Sequence, residues 1–292
     1  MAAITNSSTL SDVALRWLVV GADGLIGAAL VAELERRGQP VVGTTRRPGS
    51  RHRLLDLAVD PGAWTLPAAD IAVLCAAATR ISDCEVAPDQ SVRVNVAAPL
   101  ALAQRIWAQG GFVVFLSSSA VFDGVTGVPR PDTPLAPTHA YGRHKAEAEA
   151  ALLAAAGGRG LAIIRPTKVF APDTPLLRGW RADLAAGRII APHAWRSMAP
   201  LHHEVATAGI LAIAGEREAG IWHLSGAEDV DYAGFARRWA TTCGYPASLI
   251  VPQTGPEAAP RARLDMTATT RRFGIIAPTL DATVASLARE MP

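Results

Sequence analysis

Residues 16–30 read Arg16-Trp17-Leu18-Val19-Val20-Gly21-Ala22-Asp23-Gly24-Leu25-Ile26-Gly27-Ala28-Ala29-Leu30. Trp17, Leu18, Val19 and Val20 form an apolar run that predicts a buried strand stopping at Gly21. Leu25, Ile26, Leu30, Val31 and Leu34 then recur with helical spacing, so a helix opens at the last of three glycines. Gly21, Gly24 and Gly27 are spaced G-x-x-G-x-x-G between strand and helix. One glycine allows the tight turn, one lets a pyrophosphate approach the backbone, and one lets helix and strand pack closely. The helix start adds free N–H groups and the positive end of a dipole. A plain strand-to-helix turn is the competing reading, and the strand before and helix after favour a dinucleotide. Gly21, Asp23, Gly24, Leu25, Ile26 and Gly27 are therefore the first cofactor-binding candidates.

Residues 40–45 predict a second strand, followed by Arg46 and Arg47. A free ribose 2′-hydroxyl usually meets an acid about 20 residues past the first glycine. That neighbourhood holds Thr44, Thr45, Arg46 and Arg47 and no acid. Paired guanidiniums suit a 2′-phosphate, so NADP is favoured over NAD unless these arginines are simply solvated. Residues 71–74 predict a buried strand running into Cys75, Ala76, Ala77, Ala78 and Thr79, small residues that a cofactor can slide past or that merely pack. Residues 89–104 predict a helix carrying Asn95, either a satisfied core amide or a functional one. Further strands are expected over 111–116 and 161–166, with an alanine-rich helix over 139–156 between them. About six strand–helix alternations predict an α/β protein with a Rossmann-type doubly wound parallel sheet.

Beyond Pro166 the alternation loosens. Arg178, Trp180, Arg181, Arg188, His193, Trp195 and Arg196 make a polar and aromatic mix. Helices are expected over 205–214, 232–242 and 280–290, a short strand over 221–224, and a loop or short strand over 246–263. The domain reading is a disordered leader over 1–15, an NAD(P)-binding domain over 16–166, and a smaller substrate-binding lobe over 167–292, partly interleaved with it. Arg178, Trp180, Trp195 and Arg263 are its substrate-binding candidates, against the alternative that the tryptophans pack and the arginines face solvent.

A net charge of +2 without a basic block argues against nucleic acid or a membrane surface. Three cysteines without a C-x-x-C pair indicate neither a disulfide framework nor a metal site. No apolar stretch reaches the ~18 residues of a membrane span, and residues 1–15 lack a signal-peptide pattern, so a cytoplasmic protein is expected.

Ser118, Tyr141 and Lys145 are the candidate catalytic side chains. Tyr141 and Lys145 are one helical turn apart and share a face. Free tyrosine titrates near ~10, and an adjacent cation favours its phenolate. Ser118 supplies a hydroxyl to hold a substrate oxygen during proton transfer coupled to hydride transfer by a cofactor. Over about residues 15–290 the chain resembles the extended short-chain dehydrogenase/reductases, which include nucleotide-sugar epimerases, dehydratases and reductases. Residues 117–124, reading SSSAVFDG, and residues 220–226 and 263–265 are most similar to the 4-ketosugar reductases among them.

The resemblance makes Ser118, Tyr141 and Lys145 catalytic and Asp56 and Leu57 the adenine-side motif. It adds Thr45, Arg46, Arg47, Cys75, Ala76, Ala77, Thr79, Asn95, Pro166 and Val169 to the cofactor contacts. Ser118 and Ser119 join the substrate contacts. Ser119 replaces the acid of the 4,6-dehydratases, which disfavours elimination of water, and Lys168 and Ala171 stand where the family commonly has small residues. The implied function is NADP-dependent reduction of a ketone, a 4-keto nucleotide-sugar or related carbonyl, with a small-molecule substrate and a homodimer as the assembly considered. The alternatives are an epimerase with tightly held NAD, or a non-catalytic NADP-binding regulatory protein.

Overall fold

Strand β1 (Trp17–Val20) runs into helix α1 (Leu25–Arg36), and the strand-then-helix step repeats along the first half of the chain. β2 (Val41–Thr45) and the short β3 (Arg53–Leu54) come next. β4 (Ile71–Leu74) leads to α2 (Ile81–Val86) and α3 (Pro88–Val92), then through a π-helical turn at Arg93–Ala97 to α4 (Ala98–Ala108). β5 (Phe112–Leu116), α5 (Ala140–Ala156) and β6 (Leu161–Pro166) follow. The second half holds β7 (Val169–Phe170), α6 (Pro175–Ala185), β8 (Ser197–Met198), β9 (Leu201–His202), α7 (His203–Gly215) and β10 (Gly220–Leu224). It closes with β11 (Val230–Asp231), α8 (Tyr232–Thr242), α9 (Thr267–Phe273) and α10 (Leu280–Arg289). The structure, a computed structural model, describes residues 14–125, 127–255 and 261–291. Of the leader expected over 1–15, residues 1–13 lie outside the described residues, and Leu15 packs on the core. Residues 256–260 of the expected 246–263 loop also lie outside them.

Seven strands form one parallel sheet in the order β10-β6-β5-β4-β1-β2-β3. Successive strand residues point to opposite faces, and both faces are apolar. Trp17, Val19, Ile71, Val73, Val114 and Ile164 face one core, under α1 and α7. Leu18, Val20, Ala72, Leu74, Phe115 and Ile163 face the other, under α4 and α5. Burial on both sides explains why these strands read as unbroken apolar runs rather than alternating ones. The order reverses between β1 and β4, where a doubly wound sheet opens its ligand crevice at the carboxyl edge.

The short strand expected over 221–224 is β10, which pairs in parallel with β6 as the sheet's seventh strand, so residues well past 166 complete the first layer. The helix expected over 89–104 extends from Pro88 to Ala108 and contains the π-helical turn. The remaining elements gather a second core from Phe170, Leu177, Trp180, Leu184, Phe235, Trp239 and Leu287. Trp180 is therefore a core residue and not a pocket wall. It is buried, 6.3 Å from Phe235 and 6.2 Å from Trp239 by ring centroids. Its spacing with Leu177 and Leu184 on α6 carries the reason, an apolar stripe facing inward. Among the described residues no helix is long and apolar enough to cross a membrane.

Candidate active site

Loops leaving β1, β4, β5 and β6, four adjacent strands, meet at the carboxyl edge. Gly21 takes φ +91°, and a Cβ there would stand 2.8 Å from the Ala76 nitrogen. Only glycine fits both demands, so the β1 and β4 loops close on one another. The N-cap of α1 is Gly24, with no side chain bonded to the first turn. Its leading N–H groups, with Leu25, Ile26 and Gly27 at the helix start, thus remain available to an anion. Asn95 holds the opposite loop: its Oδ1 accepts from Ala78 N at 2.8 Å and its Nδ2 donates to Ala78 O at 3.0 Å. It is 1% exposed, so it shapes the turn at residues 75–79 from beneath. Cys75, Ala76 and Ala77 are half-buried there, and Thr79 is exposed.

At the end of β2, Thr45 is buried while Arg46 and Arg47 are exposed. Neither guanidinium has a direct ion-pair or hydrogen-bond partner among the described residues. The Asp23 carboxylate accepts hydrogen bonds from the Thr45 hydroxyl and, at 3.3 Å, from Ser50 Oγ. Asp56 Oδ1 accepts from Ala58 N, and Leu57 lines a cavity of about 350 Å³ with Val59 and Arg93. An open helix start, a Cβ-free turn and uncommitted guanidiniums fit a dinucleotide.

Across the crevice, α5 carries Tyr141 and Lys145. A Cβ at Gly142 would lie 2.2 Å from the Ala120 carbonyl oxygen, so the helix start presses against the turn that holds Ser118. His139 caps this helix, its Nδ1 accepting from Gly142 N at 3.2 Å, and its ring lies parallel to that of Tyr141 with centroids 6.3 Å apart. Ser118 Oγ accepts from Ala120 N at 3.1 Å. Burial pushes the Tyr141 phenol up to about 12, with the nearby Ser118 hydroxyl pulling the other way. Lys145 is 2% exposed and donates to Leu116 O at 2.6 Å. Its ammonium lies 4.4 Å from the Phe115 ring centroid and 6.0 Å from that of Tyr141. Burial lowers it to about 8, close enough to neutrality for its charge to respond to what binds beside it.

A buried polar network that sequence reasoning missed stands behind this pair. Ser117 donates to Glu149, which also takes the Arg165 guanidinium, Nη2 to Oε2 at 2.6 Å. Arg165 Nη1 donates to Pro131 O at 3.1 Å and lies 3.4 Å from His223 Nε2, while His223 Nδ1 faces Asp265 O at 3.1 Å. The signal was present as a charged residue inside the apolar 161–166 run and a glutamate on a buried helix face, positions that charges rarely occupy unpaired. Pro166 ends β6 in the core and Val169 is half-buried just beyond it.

Trp195 is half-buried, with the Arg196 guanidinium 5.7 Å from its ring centroid. Burial lowers His139 and Lys168; the Arg143 and Arg196 charges lower His139 further, and the Arg196 charge lowers Lys168 further. Ser119 opens the turn after Ser118 and is half-buried. Arg178 is exposed on α6. Arg263 lies apart from these residues, donating from Nη1 to Ala227 O at 3.2 Å and lining a cavity of about 650 Å³ with Leu264, Met266 and Arg271 past the end of β10.

The sheet order and the Ser118, Tyr141 and Lys145 arrangement define a protein of the extended short-chain dehydrogenase/reductase class. The chain belongs to the family described as RmlD substrate binding domain, whose model matches residues 15–291. It is 29% identical over 246 residues to a dTDP-4-dehydrorhamnose reductase of Streptomyces griseus, covering 82% of this chain and 80% of that one. It is also 34% identical over 155 residues to the methionine adenosyltransferase 2 subunit beta of Pongo abelii. That match covers 51% of this chain and 46% of the relative, so it spans about half the relative's length. A solved dTDP-4-dehydrorhamnose reductase of Bacillus anthracis str. Ames, in complex with NADP, shares the fold with a TM-score of 0.84 at 16% identity, covering 96% of this chain and all of that one.

Proposed function

We propose that this chain, an NADP-dependent oxidoreductase, reduces a ketone on a nucleotide-linked sugar, with Tyr141 as the proton donor. The observation that carries the reading is the placement of Ser118 and of Tyr141, one helical turn from buried Lys145, at the carboxyl edge that also holds the open start of α1. When bound, the dinucleotide supplies the hydride. The protein's own part is to hold the carbonyl and deliver a proton. Ser118, its Oγ already fixed by Ala120 N–H, directs its hydroxyl at the oxygen that gains charge. Tyr141 carries its proton throughout the neutral range, as a donor must, and Lys145 places a cation near the ring as that proton leaves. Arg46 and Arg47 take a 2′-phosphate at the end of β2. Lys168 and Arg196 supply cations for a substrate diphosphate, and Trp195 an aromatic face for its base.

Relatives named as dTDP-4-dehydrorhamnose reductase and dTDP-4-keto-6-deoxy-D-glucose reductase support a nucleotide-linked sugar as the substrate. Similarity to an adenosyltransferase subunit favours a second reading, a dinucleotide-binding subunit without turnover. The complete serine, tyrosine and lysine set supports catalysis over it. The deciding experiment offers NADPH with dTDP-4-keto-6-deoxysugars and, separately, with small ketones. Oxidation of NADPH that depends on the nucleotide-sugar supports the proposal. Tight dinucleotide binding with no turnover on any carbonyl supports the subunit reading instead.

A further inference from the structure

The sequence around residues 44–47 contains no acid, yet the fold brings one there from the glycine loop. Thr45 ends β2, the place where a dinucleotide fold meets the adenosine ribose. Its hydroxyl donates to Asp23 Oδ2, and Arg47 N donates to Thr45 Oγ1 at 3.1 Å. Ser50 Oγ holds Asp23 Oδ1 at 3.3 Å, and His52 Nε2 lies 3.8 Å from the same oxygen. His52 in turn covers Gly43, where a Cβ would stand 2.5 Å from its Nδ1, so the ring's position is fixed by packing. The Thr45 bond holds the Asp23 carboxyl below its ordinary range, keeping it ionised at neutral pH. With a partly exposed carboxylate of four lone-pair sites, Asp23 retains acceptor capacity beyond its bonds to Thr45 and Ser50.

We infer that Asp23 sets the balance between the two dinucleotides: its carboxylate accepts the ribose 2′-hydroxyl of NAD and opposes the 2′-phosphate that Arg46 and Arg47 attract. This rests on the dinucleotide reading above and deepens it. Arg46 and Arg47 present two positive charges to the 2′ position and Asp23 one negative charge. NAD gains a charge-assisted hydrogen bond from the same carboxylate that costs NADP a repulsion. The preference is therefore narrower than the arginine pair by itself would give.

The test measures dissociation constants of NADP⁺ and NAD⁺, by calorimetry on purified protein, for wild type, Asp23→Asn and Asp23→Ser. Both variants keep groups able to bond Thr45 or Ser50, and thermal melts confirm that each folds. The NADP⁺:NAD⁺ affinity ratio should rise by at least about tenfold in either folded variant, through weaker NAD⁺ and tighter NADP⁺. A ratio within about twofold of wild type in the folded variants overturns the role of Asp23 and leaves the dinucleotide reading standing. Wild-type protein that binds neither dinucleotide overturns both.

Discussion

Tyr141, Ser118 and Lys145 act through hydrogen bonds and charge at fixed positions, so single substitutions separate their roles. Tyr141→Phe removes the proton donor but keeps the ring beside His139. Turnover should fall by about 10²–10⁴-fold, the usual worth of a positioned acid, with dinucleotide affinity little changed. Single-turnover kinetics with titration of NADP⁺ check both halves, and a Tyr141→Phe enzyme with wild-type turnover would remove Tyr141 from the chemistry. Replacing Arg46 and Arg47 together with Ala should weaken NADP⁺ by about tenfold or more, since charge-assisted bonds contribute about 1.5–3 kcal/mol each, and leave NAD⁺ nearly unchanged. Equal losses for both dinucleotides would contradict a 2′-phosphate role. The glycines and the Tyr141–Lys145 spacing were legible because helix geometry and phosphate approach are local demands. Asp23's meeting with Thr45 was not, because it depends on how the turn between β1 and α1 lies against the end of β2.

Helix α5 is the element on which the site depends. Its N-terminus is seated by the His139 cap and by close contact between Gly142 and the Ala120 carbonyl. Gly142→Ala cannot be absorbed by a flexible side chain, because the opposing atom is backbone. It should cost about 1–3 kcal/mol of stability as overpacking and move Tyr141 away from Ser118. Urea denaturation and steady-state kinetics on the same variant check this; unchanged stability and turnover would show that the contact does not position the helix. The strands of the sheet were legible as apolar runs, and α5 as an alanine-rich stretch. The packing alternative for Trp180 is the one its spacing to Leu177 and Leu184 supports, an inward stripe set in a polar, arginine-rich neighbourhood. β10 was visible as a strand, but its place beside β6 is a long-range pairing to which periodicity is blind.

At the scale of the whole molecule, the Glu149–Arg165–His223 network ties α5, β6, β10 and the segment before α9 into one unit. His223 is 0% exposed, and burial, then the Arg165 charge, depress it to about 4. The neutral ring, with Nδ1–H donating to Asp265 O and Nε2 accepting from Arg165, satisfies both nitrogens; this tautomer is assigned from its partners. A depressed folded value means the unfolded chain binds more protons, so this contribution is present above about pH 6.5 and is lost as pH falls toward about 4. The shift corresponds to on the order of 3 kcal/mol at most. The stability gap between wild type and His223→Asn should therefore narrow from pH 7.5 to pH 4.5 in denaturant titrations; a constant gap would contradict the assignment. β10 and α7, from residues past 166, pack in the first layer with the strands of 16–166. The site at the carboxyl edge is proposed to reduce a nucleotide-linked ketone. NADPH deuterated at the transferring carbon of the nicotinamide, supplied with a dTDP-4-keto-6-deoxysugar, tests it most directly by mass and proton spectra of the sugar. The account predicts deuterium on the carbon that bears the new hydroxyl, formed by wild type and lost in Tyr141→Phe; a sugar recovered unreduced and unlabelled from wild-type protein that binds NADPH would contradict it.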